Sequence, residues 1–173
     1  MAFYADEGSF YRQPTQAWLW HDMGRRQPRL HYCNRANTLM RVVGFLHPFT
    51  GQVHTWDYRQ VTAAHFAQTL KQMAGLYHQY EKIFIILDNW PVHFHAKVRQ
   101  VLDQEPRLEL VPLPTYSPWL NPIEKVWKWC RQTLTHAHPW ADDFLQFRQR
   151  VRDQFKSLQF GSNEIMAYTG LLK

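Results

Sequence analysis

The chain has 173 residues, 45% hydrophobic and 16% aromatic, so it has one domain's length and enough apolar mass to bury a sizeable core, which excludes disorder. Its formal net charge of +6 suits a polyanionic partner, although many soluble proteins are mildly basic. No apolar run approaches the ~20 residues of a membrane span, no signal peptide opens the chain, and the two cysteines, Cys33 and Cys130, read as reduced thiols of a cytoplasmic protein.

In chain order, Ala2-Phe3-Tyr4-Ala5-Asp6 reads as a core strand with an acidic end, followed by a turn at Glu7-Gly8-Ser9. Trp18-Leu19-Trp20-His21 reads as a second short strand, closed by a turn around Met23-Gly24-Arg25-Arg26, and residues 30–37 as a basic loop. Leu39 to Leu46 is a third strand; Pro48-Phe49-Thr50-Gly51 turns it into Gln52-Val53-His54-Thr55-Trp56, whose alternation suits a half-buried strand. Ala63, Phe66, Ala67, Leu70, Met73, Ala74 and Tyr77 recur at helical steps behind Thr62 as N-cap.

Lys82 to Leu87 lacks polar alternation, as a strand covered on both faces does. Phe94 to Gln104 is a short helix, and Leu108 to Leu113 a strand that Pro112 places at an edge. Ile123, Val126, Trp127, Cys130 and Leu134 mark one face of a helix starting at Pro122; Phe144, Phe147, Val151, Phe155 and Leu158 mark another. The tail after Phe160 carries no clear pattern. Meandering strands followed by strand–helix units imply a single α/β domain, a mixed sheet with helices on its faces.

The candidate chemistry lies in carboxylates at element boundaries: Asp6 and Asp88 at strand ends, Glu124 at a helix start. Ligand sites in such sheets form where strands end, and carboxylates gathered there resist joint ionisation unless a cation sits between them. Their hard oxygens suit Mg²⁺ or Mn²⁺, and two such ions serve phosphodiester cleavage. Each acid also has a plainer reading. Asp88-Asn89 is a turn signal, and Asn121-Pro122-Ile123-Glu124 has the layout of a capping box, which the residues alone favour for Glu124.

His93 and His95 follow Asp88, both placed to contact a phosphate or to orient a carboxylate. His136 and His138 form a second His-x-His; with no Cys or third His nearby, surface histidines fit better than zinc. Lys125, Lys128 and Arg131, with Trp129 beside them, leave the apolar stripe of their helix. That arrangement suits a phosphate backbone and an unstacked base, or else a solvated face with one buried Trp. Arg25, Arg26, Arg29, Arg35 and Arg41 make the N-terminal half basic, and Lys97 and Arg99 extend the pattern.

Together, Ile86-Leu87-Asp88-Asn89 with His93, Leu113-Pro114-Thr115-Tyr116-Ser117-Pro118, and Leu120-Asn121-Pro122-Ile123-Glu124 with Trp127 resemble the DDE-superfamily catalytic domain of mariner-like and related bacterial insertion-sequence transposases. In that family an Asp-Glu pair near the domain start supplies the first acid, which matches Asp6-Glu7. The resemblance implies an RNase H-like fold and a catalytic, metal-binding triad of Asp6, Asp88 and Glu124. It implies two Mg²⁺ or Mn²⁺ ions, and DNA strand cleavage and transfer at insertion-sequence ends.

Glu7, Asn89, His93 and Asn121 are expected as auxiliary residues around the triad, and Lys125, Lys128, Trp129, Arg131, Trp90 and Lys97 as DNA contacts. Trp90 stands where the family often has a small residue, to stack on DNA or to narrow the site. The expected partner is DNA, transposon ends and target; a separate DNA-binding polypeptide and a homodimer stand beside it as candidates. The expected setting is bacterial, cytoplasmic and nucleoid-associated. Residues 1–173 are expected to be one catalytic domain without the family's N-terminal helix-turn-helix module. The alternative is a catalytically silent DNA-binding or assembly module.

Overall fold

The computed structural model describes residues 1–15, 32 and 38–172. The expected strand at Trp18–His21, its turn, most of the following loop, Arg25, Arg26, Arg29, Arg35 and Cys33 lie outside the described residues. Among the described residues five strands form one mixed sheet: β1 (Ala2–Tyr11), β2 (Leu39–Leu46), β3 (Val53–Tyr58), β4 (Ile83–Leu87) and β5 (Leu108–Pro112). Their order is β3-β2-β1-β4-β5. The first three run antiparallel in sequence, while β4 and β5 add to β1 in parallel. Pro112 ends the edge strand β5, where a missing N–H costs least.

The α-helices of the described residues cover both faces: α1 (Ala63–Leu76), α2 (Ala96–Gln104), α3 (Ile123–Leu134), α4 (Phe144–Leu158) and α5 (Asn163–Thr169). The pleat sorts the core in two. Phe3, Ala5, Val43, Phe45, Ile83, Ile85 and Leu87 pack with α1 and α2. Phe10, Met40, Val42, Leu46 and Val53 pack with α3, α4 and Ile165 of α5. Each of these side chains other than Ala5 contributes roughly 1.5–3 kcal/mol on burial. Thr62 caps α1 as its sequence predicts, its hydroxyl accepting from the His65 N–H.

Three expectations are corrected. Glu7-Gly8-Ser9 is no turn: β1 runs on to Tyr11, because Glu7 through Tyr11 pair with Val43 back to Leu39. Asp6 is therefore mid-strand. The capping box does not form. The backbone N–H of Asn121 donates to Pro118, and its side chain donates to the Ala5 carbonyl instead of capping α3. His138 is no surface histidine: it is buried, stacked on Trp140, and burial lowers its pKa.

The tail beyond Phe160 is α5. Ser162 caps it, accepting from the N–H groups of Glu164 and Ile165, and Gly170 ends it at φ 80°. It lies along α3: Lys125 Nζ donates to Thr169 O (3.0 Å), Trp129 Nε1 to Glu164 Oε1 (3.3 Å), and Tyr168 Oη to Gln132 Oε1 (2.8 Å). The β2–β3 turn holds its start. Ser162 N donates to Thr50 O, and Gln52 Nε2 to Gln159 O. Gly51 (φ 67°) and Gly161 (φ 76°) meet there so closely that a Cβ on Gly161 would lie 2.5 Å from Thr50 O. Among the described residues, no helix is long and apolar enough to cross a membrane.

Candidate active site

β1 turns Asp6 and Glu7 to opposite faces of the sheet, as neighbours in a strand must be. On the α3 face, Asp6 Oδ2 accepts from Trp127 Nε1 at 2.9 Å. On the other face, Glu7 Oε1 meets Nε2 of the buried His93 at 3.1 Å. β4 pairs with β1 only from Ala2 to Tyr4, the last pair being Tyr4 with Ile86. Two residues farther along each strand stand Asp6 and Asp88, where the pairing has ended and a cleft opens.

Asp88 closes the turn that Asp88-Asn89 signals. Its Oδ1 accepts from the Trp90 N–H at 3.1 Å, which closes the turn, and also lies 3.2 Å from His93 Nδ1. Asn89 pins the turn to the loop opposite by donating to Leu113 O at 2.6 Å. Glu124, in the first turn of α3, is exposed and has no capping bond. Asp6, Asp88 and Glu124 line one cleft with Asn89, Trp90, Asn121 and the 113–118 loop. Trp90, half-buried, lines that cleft and meets the His93 ring edge-on at 5.5 Å.

The electrostatics are lopsided. Burial, then the charges of Glu124 and Glu7, push the Asp6 pKa up to about 8; the Trp127 hydrogen bond works the other way. For His93, burial opposes the charged ring, but the Glu7 hydrogen bond and charge and the Asp88 contacts outweigh it, and its pKa is raised. His93 Nδ1 also meets the Asp88 backbone carbonyl at 3.2 Å, and only a doubly protonated imidazole donates both to that carbonyl and to Glu7.

A divalent cation fits this surplus of negative charge. Asn121, against Ala5, adds a buried Oδ1 with no hydrogen-bond partner. Among the described residues no three His, Cys, Asp or Glu side chains stand together at metal-binding distance. The acids share the cleft without being drawn together, as mutual repulsion dictates. Asp88 and Glu124 are the exposed pair, and Asp6 is the most buried of the three.

Lys128 is exposed and Arg131 half-exposed on the Glu124 side of α3. Lys125 and Trp129 face α5 instead, so Trp129 is not the free aromatic its neighbours suggested. Lys97 lies in a groove between α1 and α2, apart from the acids' cleft. Trp127 is the residue whose second contact periodicity does not show. Its place on the apolar stripe is real, but its N–H serves Asp6. Nothing local signals that bond, which spans 121 residues.

A family model described as DDE superfamily endonuclease matches residues 2–146. An "Insertion element IS630 uncharacterized 39 kDa protein" of Shigella sonnei is 28% identical over 150 residues, covering 87% of this chain and 43% of the relative. The chain thus spans less than half of that relative's length. Among solved structures, the catalytic domain of Mos1 mariner transposase superposes with a TM-score of 0.62 at 16% identity, covering 99% of this chain and 76% of the other. The Mos1 mariner paired-end complex with Mn gives 0.68 at 17% identity, covering 99% and 52%. The sheet with helices on both faces is the RNase H-like fold of that catalytic domain. With the family match spanning most of its length, the chain belongs to the DDE superfamily of endonucleases.

Proposed function

We propose that this chain is the catalytic domain of an insertion-sequence transposase, cleaving DNA strands and joining them at element ends. The observation that carries the reading is the convergence of Asp6, Asp88 and Glu124, from β1, the end of β4 and the start of α3, on one cleft of a DDE endonuclease domain. Asp6, Asp88 and Glu124 would hold two divalent ions, Mg²⁺ or Mn²⁺; the Mos1 complex with Mn supports the choice of metal. When bound, such ions activate an attacking hydroxyl and stabilise the departing oxygen.

The chain's own residues prepare that chemistry. Two strands and a helix bring the acids within reach while the sheet keeps them from collapsing together. Glu7 fixes His93, and His93 holds the Asp88 carboxylate. Asn89 ties the Asp88 turn to Leu113, setting the cleft's width. Trp90 and Tyr116 offer aromatic surface at its mouth, and Lys128 and Arg131 offer charge for the DNA backbone. The Mos1 transposase complex with a left transposon end, together with the insertion-element relative, supports DNA ends as the substrate.

Asp88→Asn tests the reading. The variant should keep its circular dichroism and lose Mg²⁺-dependent cleavage of plasmid DNA. Persistent cleavage in a clean preparation of the variant refutes the assignment. Strand-transfer products from the wild type separate a transposase from a plain nuclease, and a wild type that binds DNA without cutting it is the silent module.

A further inference from the structure

We propose that Trp127 is the positioning residue of Asp6: its indole N–H, carried on the helix that bears Glu124, fixes the Asp6 carboxylate for a divalent cation. The inference rests on the reading of Asp6 as a metal ligand.

A buried indole N–H needs an acceptor in any protein, so the 2.9 Å bond alone would satisfy a packing requirement. The construction around it goes further. Asp6 pairs across the sheet with Gly44, and Gly8 is the next residue on the same face of β1. Both positions are hollow where the indole lies. A Cβ on Gly44 would collide with Trp127 Cη2, and one on Gly8 would lie 3.0 Å from Cδ2. The sheet is therefore cut away beside the acid to admit this ring.

The ring has no freedom to swing. Phe10 and Phe155 meet it edge-on, with centroids at 6.2 and 5.8 Å, and it is 1% exposed. Its N–H direction is set by packing, and whenever Asp6 is ionised the acceptor is a carboxylate, which makes the bond charge-assisted and stronger than a neutral one. Trp127 also follows Glu124 by three residues on α3. One rigid helix thus supplies the third acid and locates the first. Residues that orient metal ligands in this way typically contribute about 10–100-fold to metal affinity.

The experiment replaces Trp127 with 3-benzothienylalanine, which keeps the bicycle and loses the N–H, and with 5-fluorotryptophan, which keeps both. Mn²⁺ binding by calorimetry is compared with wild type and with Asp88→Ala. The expected result is Mn²⁺ affinity about tenfold weaker for the benzothienyl variant at an unchanged unfolding midpoint, with wild-type affinity for the fluorinated one. Equal affinity in all three, with binding lost in Asp88→Ala, overturns the positioning role alone. A wild type whose Mn²⁺ binding is absent, or is untouched by Asp88→Ala, overturns the metal site and this inference together. Should the benzothienyl variant misfold, the wild type decides. Its Trp127 indole N–H resonance must move saturably during an Mg²⁺ titration, and a resonance that stays put overturns the proposal.

Discussion

Removing the charge of Asp6 should stabilise the protein when no metal is present. The unfolded carboxyl titrates near 3.8 and the folded one near about 8. Between these values the folded state binds the extra proton, so stability falls as pH rises, by about 1.4 kcal/mol per pH unit, and levels off above the folded pKa. At about pH 7 the cost reaches about 4 kcal/mol, a large part of a domain's usual stability. Asp6→Asn keeps the shape and an oxygen for the Trp127 N–H while removing the titration. Urea unfolding of both proteins in EDTA, at about pH 4, 5, 6 and 7, should show equal stability at the acid end and a gap that opens steadily in the variant's favour. Saturating Mn²⁺ should then raise the wild type and leave Asp6→Asn where it was. A gap that does not change with pH refutes the buried, repelled carboxylate.

Gly44→Ala should cost about 3 kcal/mol in thermal unfolding, because the new methyl collides with Trp127 in a packed core; an unchanged midpoint would mean that the indole sits elsewhere. Asp57 accepts from Arg148 (2.6 Å) and Arg152 (3.0 Å), whose hydrogen bonds outweigh burial and lower its pKa. Asp57→Asn should therefore cost about 1 kcal/mol at neutral pH, this part-exposed pairing being partly screened. That cost should vanish as pH falls through the folded pKa of Asp57, which chemical denaturation across the acid range can follow. Glu7→Gln should bring the His93 pKa down, read from its imidazole NMR titration. The stability lost should be greatest below the ordinary histidine pKa and fade as pH rises through the folded one.

The acids at the end of β4 and the start of α3 were legible because local signals mark them: an apolar run that stops at Asp88, a Pro and an apolar stripe that begin at Glu124. The strand–helix alternation from Ala63 onward was legible for the same reason. What failed was decided by partners far away in sequence. Gly8-Ser9 looks like a turn, but pairing with β2 overrides it, and the glycine is there for an indole more than a hundred residues on. The capping box gave way because Asn121 is drawn to Ala5; Trp127 is the core residue its stripe indicates, and what the stripe does not show is that its one polar atom reaches Asp6. His93 was placed beside Asp88 correctly, but its second partner, Glu7, stands 86 residues away.

The seating of α5 gives the Glu124 helix two unlike flanks. On one, Lys125, Trp129 and Gln132 are spoken for by the tail, which the β2–β3 turn holds in place. On the other, Lys128 and Arg131 continue the row that Glu124 begins, open to solvent. A nucleic-acid strand reaching the acids along this helix has one side to follow. An alanine scan down α3 should accordingly alternate in kind: positions 128 and 131 answer in DNA affinity and its salt dependence, positions 125, 129 and 132 in the stability of the folded chain.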